Sequence, residues 1–540
     1  MKLFRNIISF AVASAVLASC TDLTALNTNP AATSTLDPNL QLSYVQHYDA
    51  CYKRSMTVYM IYPGGWNNHF TSYSGMINYG AKCVFDADYA KRLWTENYPN
   101  VVKNVVDMYM NSAEGTNIHA AARVMKVEAF MRLTDVYGDI PYFQSGNSFQ
   151  TGIIAPEYDR QEDIYNSFFE ELDAAAKEFN EAGDALTYDL YFGGDIAKWR
   201  KYANSLRLRA ALRLVKVNPE KAEKEARAAI EGGVMTSNED IAYTSHEDNR
   251  DNMLGGNGFG NFLHLYQDSV YITDELCDAL GGNSTMEDPR LRIIARAYLE
   301  QKHVDAVAAT DITELVYQYY KKHQTVPAQC SRSISSDCTH EPINLSNIKL
   351  TINGTETTVT QHYQRLRASL LVAAADSPYI KMSYAEVLLL QAEAAVRYGI
   401  GTETPENLYR KAVKAGIMHY SLWGANIDET AAEAYASSLA FTQGSELDLI
   451  NTQLWIDYVF NPFEAWANTR RTDGLPSKYV KYYNYYPTVN TTAGQMPRRL
   501  PYPATEQTRN NDNYREAVSR LAGGDVWTER VWWDCETSNE

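Results

Sequence analysis

Residues 121–137 read AARVMKVEAFMRLTDVY, with apolar side chains recurring at intervals of three and four residues. This spacing places the apolar side chains on one face of an α-helix, because the helix turns once every ~3.6 residues. Three further stretches, which begin at Ile164, Ala203 and Ala385, have the same spacing. The apolar residues of the four stretches are Ala122, Met125, Ala129, Leu133 and Val136; Ile164, Phe168, Leu172, Ala175 and Phe179; Ala203, Leu206, Ala210, Leu214 and Val217; and Ala385, Leu388, Ala392 and Ala395. The sequence therefore predicts a chain dominated by amphipathic helices.

The regions between these stretches indicate how the helices are arranged. Further helices are predicted at 97–110, 220–231 and 405–416, and the polar loops of the N-terminal half are short. Short loops favour antiparallel helix pairs, stacked in the manner of a tetratricopeptide solenoid, although no clean repeat can be aligned. Residues 350–360 are rich in Thr and predict a strand pair around Asn353-Gly354. We therefore expect one large, mostly α domain with a loop-rich elaboration and a few short strands.

The first twenty residues are typical of a lipoprotein signal. Lys2 and Arg5 precede an apolar run from 7 to 17, which at ~1.5 Å per residue is too short for a ~30 Å hydrocarbon core. Residues 17–20, Leu-Ala-Ser-Cys, resemble a bacterial lipobox, in which the cysteine becomes the lipid-bearing N-terminus. The alternative is an ordinary cleavage site with an incidental cysteine. The sequence predicts a signal peptide at 1–19 and a membrane tether at Cys20.

Composition and charge exclude some classes of partner and favour others. The chain has 49 Lys and Arg against 66 Asp and Glu, a net charge of −17, which argues against nucleic acid or a polybasic membrane patch. Aromatic residues are abundant, with 39 Tyr, 9 Trp and 16 Phe among 540 residues. Each Tyr offers a flat apolar face and a polar tip, so this excess suits a surface that binds neutral, polar ligands.

Two aromatic clusters supply candidate ligand-binding residues. The first, between 59 and 79, interleaves six rings with Pro, Gly and Asn, which predicts an exposed loop that offers stacking rings and amide hydrogen bonds to a sugar. The second is the Tyr-rich segment around Asn484. The alternative is that these rings pack between helices. The candidate ligand-binding residues are Trp66, Asn67, Asn68, His69 and Tyr73. Tyr482 and Tyr483 are weaker candidates, which would form a second wall of the binding site.

Catalytic and metal-binding motifs are absent from the sequence. It contains no phosphate loop, no zinc helix and no nucleophile elbow, and its ten His are scattered. Glu386 and Glu393 could suggest a glycosidase pair, but seven residues apart they would lie roughly 10 Å apart along a strongly apolar helix. We interpret them instead as packing carboxylates paired to Arg or backbone groups. No catalytic residue, metal or cofactor is expected.

Several short motifs, in this order and after the lipobox, resemble the SusD/RagB-like surface lipoproteins of Bacteroidetes. Each motif alone is weak, but the series covers nearly the whole chain. The motifs are residues 26–30 (LNTNP), 138–142 (GDIPY), 199–213 with ANSLRLR at 203–209, 288–291 (DPRL), 384–389 (YAEVLL), 463–466 (FEAW), 470–472 (RRT), 497–503 (PRRLPYP), 513–514 (NY) and 531–534 (VWWD). Residues 300–375 match no motif of this kind.

The resemblance implies a fold, a location and a partner. The fold would be a degenerate tetratricopeptide-like scaffold, mainly at 90–232 and 378–418, packed against loop-rich, ligand-presenting regions at 50–85, 233–375 and 419–540. Residues 20–540 would form a single domain anchored by its lipid on the outer-membrane surface. There it would capture an oligo- or polysaccharide and deliver it to a SusC-like TonB-dependent transporter, without breaking any bond.

Two other functions fit the same scaffold. Some relatives of this kind capture peptides, which would require backbone-type hydrogen bonding and no saccharide binding. A purely structural lid would bury its aromatic loops against the transporter and bind no ligand in isolation. The ligand contacts of such a family vary with the ligand, so no binding residue is implied by the resemblance itself.

Overall fold

A computed structural model of the chain describes most of the sequence in ten segments. They are residues 36–49, 58–72, 76–249, 255–265, 270–281, 286–299, 310–323, 347–360, 364–480 and 489–536. Within these segments the fold is mostly helical, as the sequence predicts, and the strands are short. None of the described helices is both long and apolar enough to cross a membrane.

Twenty α-helices occur in the described residues. In the N-terminal half they are α1 (Pro38–Asp49), α2 (Ala87–Ala90), α3 (Arg92–Asn97), α4 (Lys103–Asn111), α5 (Asn117–Tyr137), α6 (Ser148–Thr151), α7 (Gln161–Glu178), α8 (Ile196–Arg213) and α9 (Pro219–Glu231). The central helices are α10 (Gly258–Leu265), α11 (Asp274–Ala279), α12 (Pro289–Ile294) and α13 (Thr313–Lys322). The C-terminal helices are α14 (Tyr384–Tyr398), α15 (Pro405–Met418), α16 (Glu429–Ser438), α17 (Glu446–Asp457), α18 (Pro462–Arg471), α19 (Glu506–Arg509) and α20 (Asn511–Ser519).

Short strands and single helical turns connect these helices. One-turn π-helices lie at Met60–Gly64, Met76–Ala81 and Tyr98–Val102, and short 3₁₀ helices at Asn238–Asp240, His419–Trp423, Tyr458–Phe460 and Trp532–Asp534. The strands are β1 (Phe70–Ser72), β2 (Ala242–Thr244), β3 (Val270–Ile272), β4 (Ala295–Arg296), β5 (Ile348–Ile352), β6 (Thr355–Val359), β7 (Arg367–Ala368) and β8 (Tyr379–Met382). They form four antiparallel pairs among the described residues: β1 with β3, β2 with β8, β4 with β7, and β5 with β6.

The predicted helices are confirmed, and their ends follow from local chemistry. The side chain of Thr116 accepts a hydrogen bond from the His119 amide and begins α5, which ends at Gly138 with φ 84°. Ser383 caps α14 in the same way, through the Glu386 amide. Such caps satisfy amides that have no partner inside the helix. The predicted hairpin is confirmed as well, since Asn353 and Gly354 both adopt positive φ between β5 and β6.

Helices that follow one another in sequence pack side by side. Helix α5 contacts α4 and α7, helix α8 contacts α7 and α9, and α14 contacts α15 and α17. Helix α8 also contacts α14, which joins the two parts of the predicted scaffold. This neighbour-to-neighbour packing is the arrangement expected of tetratricopeptide-like helix pairs.

Buried ion pairs join the scaffold helices to one another. Arg209 of α8 binds Glu386 of α14 through two hydrogen bonds of 2.7 and 2.8 Å, and Arg471 of α18 binds Glu393 through two of 2.7 Å. All four side chains are buried. The interpretation of Glu386 and Glu393 as packing carboxylates is confirmed, because each is occupied by a guanidinium.

The C-terminal segment is hydrogen-bonded along the end of α5. The Leu500 amide donates to the Val136 carbonyl at 2.9 Å, and both Nε and Nη2 of Arg499 donate to the Tyr137 carbonyl. The Tyr502 hydroxyl donates to the Asp139 carbonyl at 2.7 Å. These contacts fix the loop-rich C-terminal region against the helical scaffold.

Candidate ligand-binding surface

Trp66 lies in the core rather than on an exposed loop. Its side chain is 3% exposed and its indole Nε1 donates to the Gly80 carbonyl at 3.1 Å. The ring stacks on Tyr62 at a centroid distance of 5.2 Å and contacts Trp466 and Trp527. The prediction of an exposed loop is therefore wrong for this residue.

The physical reason is the close packing of two helical turns. The π-helical turns 60–64 and 76–81 pack on each other, and a Cβ at Gly80 would lie 1.9 Å from the Ile61 carbonyl oxygen. Glycine is thus required here for close backbone approach and not for loop flexibility. Gly and Pro residues are typical of exposed loops, but in this region they allow buried segments to pack closely.

Asn67 and His69 are also fully buried, so their predicted exposure is wrong as well. The Asn67 side-chain amide donates to the Pro462 carbonyl at 2.7 Å, and the Asn67 backbone carbonyl accepts from the Trp455 indole at 2.7 Å. The His69 ring Nε2 donates to the Trp455 carbonyl at 2.8 Å. Burial lowers the pKa of His69 to about 3, so the ring is neutral. These side chains anchor α17 and α18.

Asn68 lies at the surface and joins the first aromatic cluster to the start of the second. It is half-buried, adopts φ 60°, and its side-chain amide donates to the Tyr479 carbonyl at 3.0 Å. The Asn68 backbone carbonyl accepts from the hydroxyl of Thr273, the N-cap residue of α11. The segments that begin at 66, 273 and 479 therefore meet at Asn68.

One face of the Tyr479 ring packs against a buried tryptophan. It stacks on the buried Trp455 with a centroid distance of 5.4 Å and an interplanar angle of 8°. The Lys478 ammonium lies 4.9 Å from the Tyr479 centroid and 2.6 Å from the Asp278 carboxylate. Burial raises the pKa of Tyr479, so its hydroxyl stays protonated at neutral pH. We call Asn68, Asp278, Lys478 and Tyr479 the Tyr479 surface.

The remaining predicted residues lie outside the described part of the chain. Tyr73 directly follows Ser72, the last residue of β1, which pairs with Val270 of β3. Tyr482 and Tyr483 follow Val480, where the described segment ends. Cys20 also lies outside the described residues.

The described residues offer no grouped metal ligands, and the carboxylates that suggested a glycosidase are already bound. No three His, Cys, Asp or Glu side chains come together there as the ligands of a metal ion would. The two carboxylates that could have resembled a glycosidase pair, Glu386 and Glu393, are fully engaged with Arg209 and Arg471. The Tyr479 surface itself carries one positive and one negative charge, which form an ion pair. It presents a half-buried ring beside an amide, an ammonium and a carboxylate group.

Sequence reasoning missed Trp455 and Lys478, which shape this surface. Trp455 lies in α17 and carries no local signal of a role, because its contacts with Asn67 and His69 span more than 380 residues of sequence. Tyr479 belongs to the second Tyr-rich cluster of the sequence, and that repetition was the available signal.

The chain is similar to one protein family and to several solved structures. A family model described as SusD-like, starch-binding and associating with the outer membrane matches residues 32–503. No curated protein sequence matches the chain. Among solved structures, a chitin-binding protein is 32% identical with a TM-score of 0.74, the match covering 93% of this chain and 100% of that one. A SusD-like protein described as Bacteroidetes AC2a is 29% identical with a TM-score of 0.78, over the same shares of the two chains.

A more distant structure shares the fold. A chitin-binding SusD homologue from Flavobacterium johnsoniae is 20% identical with a TM-score of 0.66, and the match covers 93% of this chain and 99% of that one. The family model alone spans most of the 540 residues. The chain belongs to the SusD-like family of glycan-binding proteins associated with the outer membrane, whose members bind ligands and are not enzymes.

Proposed function

We propose that this protein is a lipid-anchored, cell-surface receptor that captures uncharged oligosaccharides of the chitin type and passes them to a TonB-dependent transporter. The observation that carries the proposal is the hydrogen bond from Asn68 of the first sequence-predicted cluster to Tyr479 of the second, which brings the two segments together at the Tyr479 surface. The chitin-binding name of the relative at 32% identity supports the ligand class.

The chemistry of the Tyr479 surface suits a neutral sugar. A ring that is fixed against Trp455 loses little conformational freedom when a pyranose stacks on it, so little of the binding free energy is spent on ordering it. Lys478 and Asp278 neutralise each other and still offer a donor and an acceptor for hydroxyl or acetamido groups. A charged polysaccharide would gain no net attraction here.

Chain connectivity supports roles for the other predicted tyrosines. Tyr73 is one residue from Ser72, and Tyr482 is three residues from Tyr479, a span of at most ~11 Å. We propose that Tyr73, Tyr482 and Tyr483 contact the glycan together with Asn68 and Tyr479. Trp66, Asn67 and His69 then act as positioning residues, since they hold the backbone from which these segments depart.

The proposed membrane tether changes what affinity is needed. A receptor anchored through Cys20 beside a transporter raises the local concentration of its ligand at the pore, so modest affinity suffices. The partner would be a SusC-like transporter in the same membrane. No chemical step is required of the receptor.

The function is tested by titrating the protein without residues 1–20 against oligosaccharides of β-1,4-linked N-acetylglucosamine. We expect saturable binding without release of new reducing ends. Tyr479→Ala and Tyr482→Ala should each weaken the affinity about tenfold, because one stacking ring contributes roughly 1–1.5 kcal/mol. Isothermal titration calorimetry measures both effects.

The control is Tyr188→Ala, which removes a half-exposed ring from the loop between α7 and α8 and should leave the affinity unchanged. Tyr479→Phe keeps the ring and should keep most of the affinity. Trp66→Ala is not a clean test, because it would open a cavity in the core and perturb the fold. Equal affinities of the wild type, Tyr479→Ala and Tyr482→Ala would contradict the proposed surface, and absence of any saturable binding would contradict the ligand class.

A further inference from the structure

A second concave site lies where residues 85–91 meet the C-terminal segment between 491 and 527. It encloses a cavity of about 380 Å³, within the range of roughly 300–1,000 Å³ that small-molecule sites occupy. Its buried lining includes Ala90, Tyr502 and Trp527, and its exposed lining includes Phe85, Gln507 and Val526. We call it the Phe85 pocket. None of its residues belongs to the Tyr479 surface.

One wall of the pocket is aromatic, formed by the packed Trp527 and the exposed Phe85. The Trp527 ring packs edge-to-face against Phe85 at 5.7 Å and against Tyr62 at 6.0 Å, and it contacts Trp66 at 6.2 Å. Trp527 is 5% exposed, whereas Phe85 is 40% exposed and has no comparable cover. A flat ligand can therefore stack on Phe85 without displacing a packed ring.

The polar wall is fixed by a hydrogen-bonded chain. Arg499 and the Tyr502 amide both donate to one oxygen of Asp525, at 2.6 and 3.1 Å. The Tyr514 hydroxyl donates to the other oxygen at 3.2 Å and accepts from the Gln507 side chain at 3.1 Å. The Asp525 charge is thus compensated by a buried arginine, and the Lys91 ammonium at the same pocket pairs with Asp88.

These features define the chemistry of the occupant. An exposed ring beside amide and hydroxyl groups binds a molecule with one apolar face and several hydroxyls. Because the charges of the lining are paired, the pocket gives no advantage to an anion or a cation. Its volume admits a mono- or disaccharide unit and not a folded polypeptide segment.

We propose that the Phe85 pocket is a second carbohydrate-binding subsite, which takes a terminal unit of an uncharged oligosaccharide. The proposal rests on the proposed function for the class of ligand, but it uses a separate set of residues. Trp66 connects the two sites physically, because its ring contacts Trp527 while the adjacent Asn67 and Asn68 hold the Tyr479 side.

The test is a titration of four proteins with the disaccharide and with longer oligosaccharides of N-acetylglucosamine. The proteins are the wild type, Phe85→Ala, Tyr479→Ala and the double variant. We expect Phe85→Ala to weaken disaccharide binding at one of two sites at least about tenfold and to leave the Tyr479 site intact. For longer oligosaccharides, each single change should weaken binding at its own site, and the double variant should weaken binding at both.

Three further variants test whether the flat ring of Phe85 is what the ligand contacts. Phe85→Tyr retains the ring and should retain binding, and Phe85→Leu retains apolar volume without a flat face and should lose it. Phe143→Ala removes a 54% exposed phenylalanine elsewhere and should change nothing. Binding that is unchanged in Phe85→Ala but lost in Tyr479→Ala would overturn the second subsite and leave the proposed function in place. No saturable binding to the wild type would overturn both.

Discussion

Replacing Glu393 by Gln is expected to lower the free energy of unfolding by about 3–5 kcal/mol, which is the usual cost of leaving one partner of a buried ion pair without its counter-charge. Glu393 accepts two hydrogen bonds of 2.7 Å from Arg471 and one of 2.8 Å from Arg397. The side chains of Glu393 and Arg471 are both 0% exposed, so water cannot replace the lost carboxylate. Denaturant unfolding at pH 7 measures the loss.

The matched control is the same substitution at an exposed pair. Glu406 lies 2.7 Å from Arg410 on α15, and both side chains are 40% exposed or more. Glu406→Gln should cost less than about 0.5 kcal/mol, because solvent screens the pair. In the double variant Glu393→Leu with Arg471→Met, part of the stability should return, because the buried Arg471 charge is removed together with its partner, while the partly exposed Arg397 loses its ion pair. A loss of less than about 1 kcal/mol in Glu393→Gln would contradict the role of Glu393 as a packing carboxylate in a buried ion pair.

The same pair makes a contribution that depends on pH. Burial alone would raise the pKa of Glu393, but Arg471 and Arg397 overcome that effect and lower the pKa to about 2. A carboxyl group whose pKa is lower in the folded than in the unfolded protein stabilises the fold above its unfolded value, ~4.3. This contribution is lost as the pH falls from about 4.5 towards 2. The stability of Glu393→Gln should therefore depend less on pH in this range than that of the wild type.

The helices and the roles of the acidic residues could be predicted from the sequence because the signals are local. Spacings of three and four residues marked α5, α7, α8 and α14, and an apolar face around Glu386 and Glu393 marked them as packing residues. Their partners could not be predicted, because Arg209 and Arg471 lie 177 and 78 residues away along the chain. The spacing of residues along one helix carries no information about which side chain, distant in sequence, packs against that helix.

The candidate site was predicted less well, for a related reason. The pattern of rings with Gly, Pro and Asn around Trp66 marks irregular backbone, but irregular backbone can be buried when tertiary partners satisfy its hydrogen bonds. Gly80, Pro462 and Trp455 supply those partners from other segments. The family resemblance is confirmed by the family model, and motif residues such as Arg290, Trp466 and Arg499 are buried structural residues.

A second large effect is expected at Asp457, the last residue of α17, where substitution should stabilise the protein. One oxygen of Asp457 accepts from the Ser383 hydroxyl at 2.6 Å, while the other, Oδ1, has no hydrogen-bond partner among the described residues. The neighbouring His419 Nδ1 lies 3.6 Å away and has no partner either. Burial lowers the pKa of His419 to about 3, so this ring is neutral and supplies no counter-charge.

Asp457 therefore opposes folding at neutral and higher pH. Burial raises its pKa to about 7, against ~3.9 in an unfolded chain. A carboxyl group whose pKa is raised by folding favours the fold fully below the unfolded value, and this contribution is lost as the pH rises towards 7. At pH 8 the ionised state costs up to roughly 4 kcal/mol, because each pKa unit corresponds to ~1.4 kcal/mol.

Asp457→Asn removes this ionisation and keeps the shape of the side chain. The amide oxygen can accept from Ser383, and the amide nitrogen can donate to His419 Nδ1, so both buried partners are satisfied. We expect the free energy of unfolding at pH 8 to rise by about 2–4 kcal/mol, and to change little at pH 4. Asp512→Asn, an exposed change in α20, should stay within about 0.5 kcal/mol at both pH values. A variant less stable than the wild type at pH 8 would mean that Asp457 is ionised and paired in the folded protein, with His419 as its charged partner.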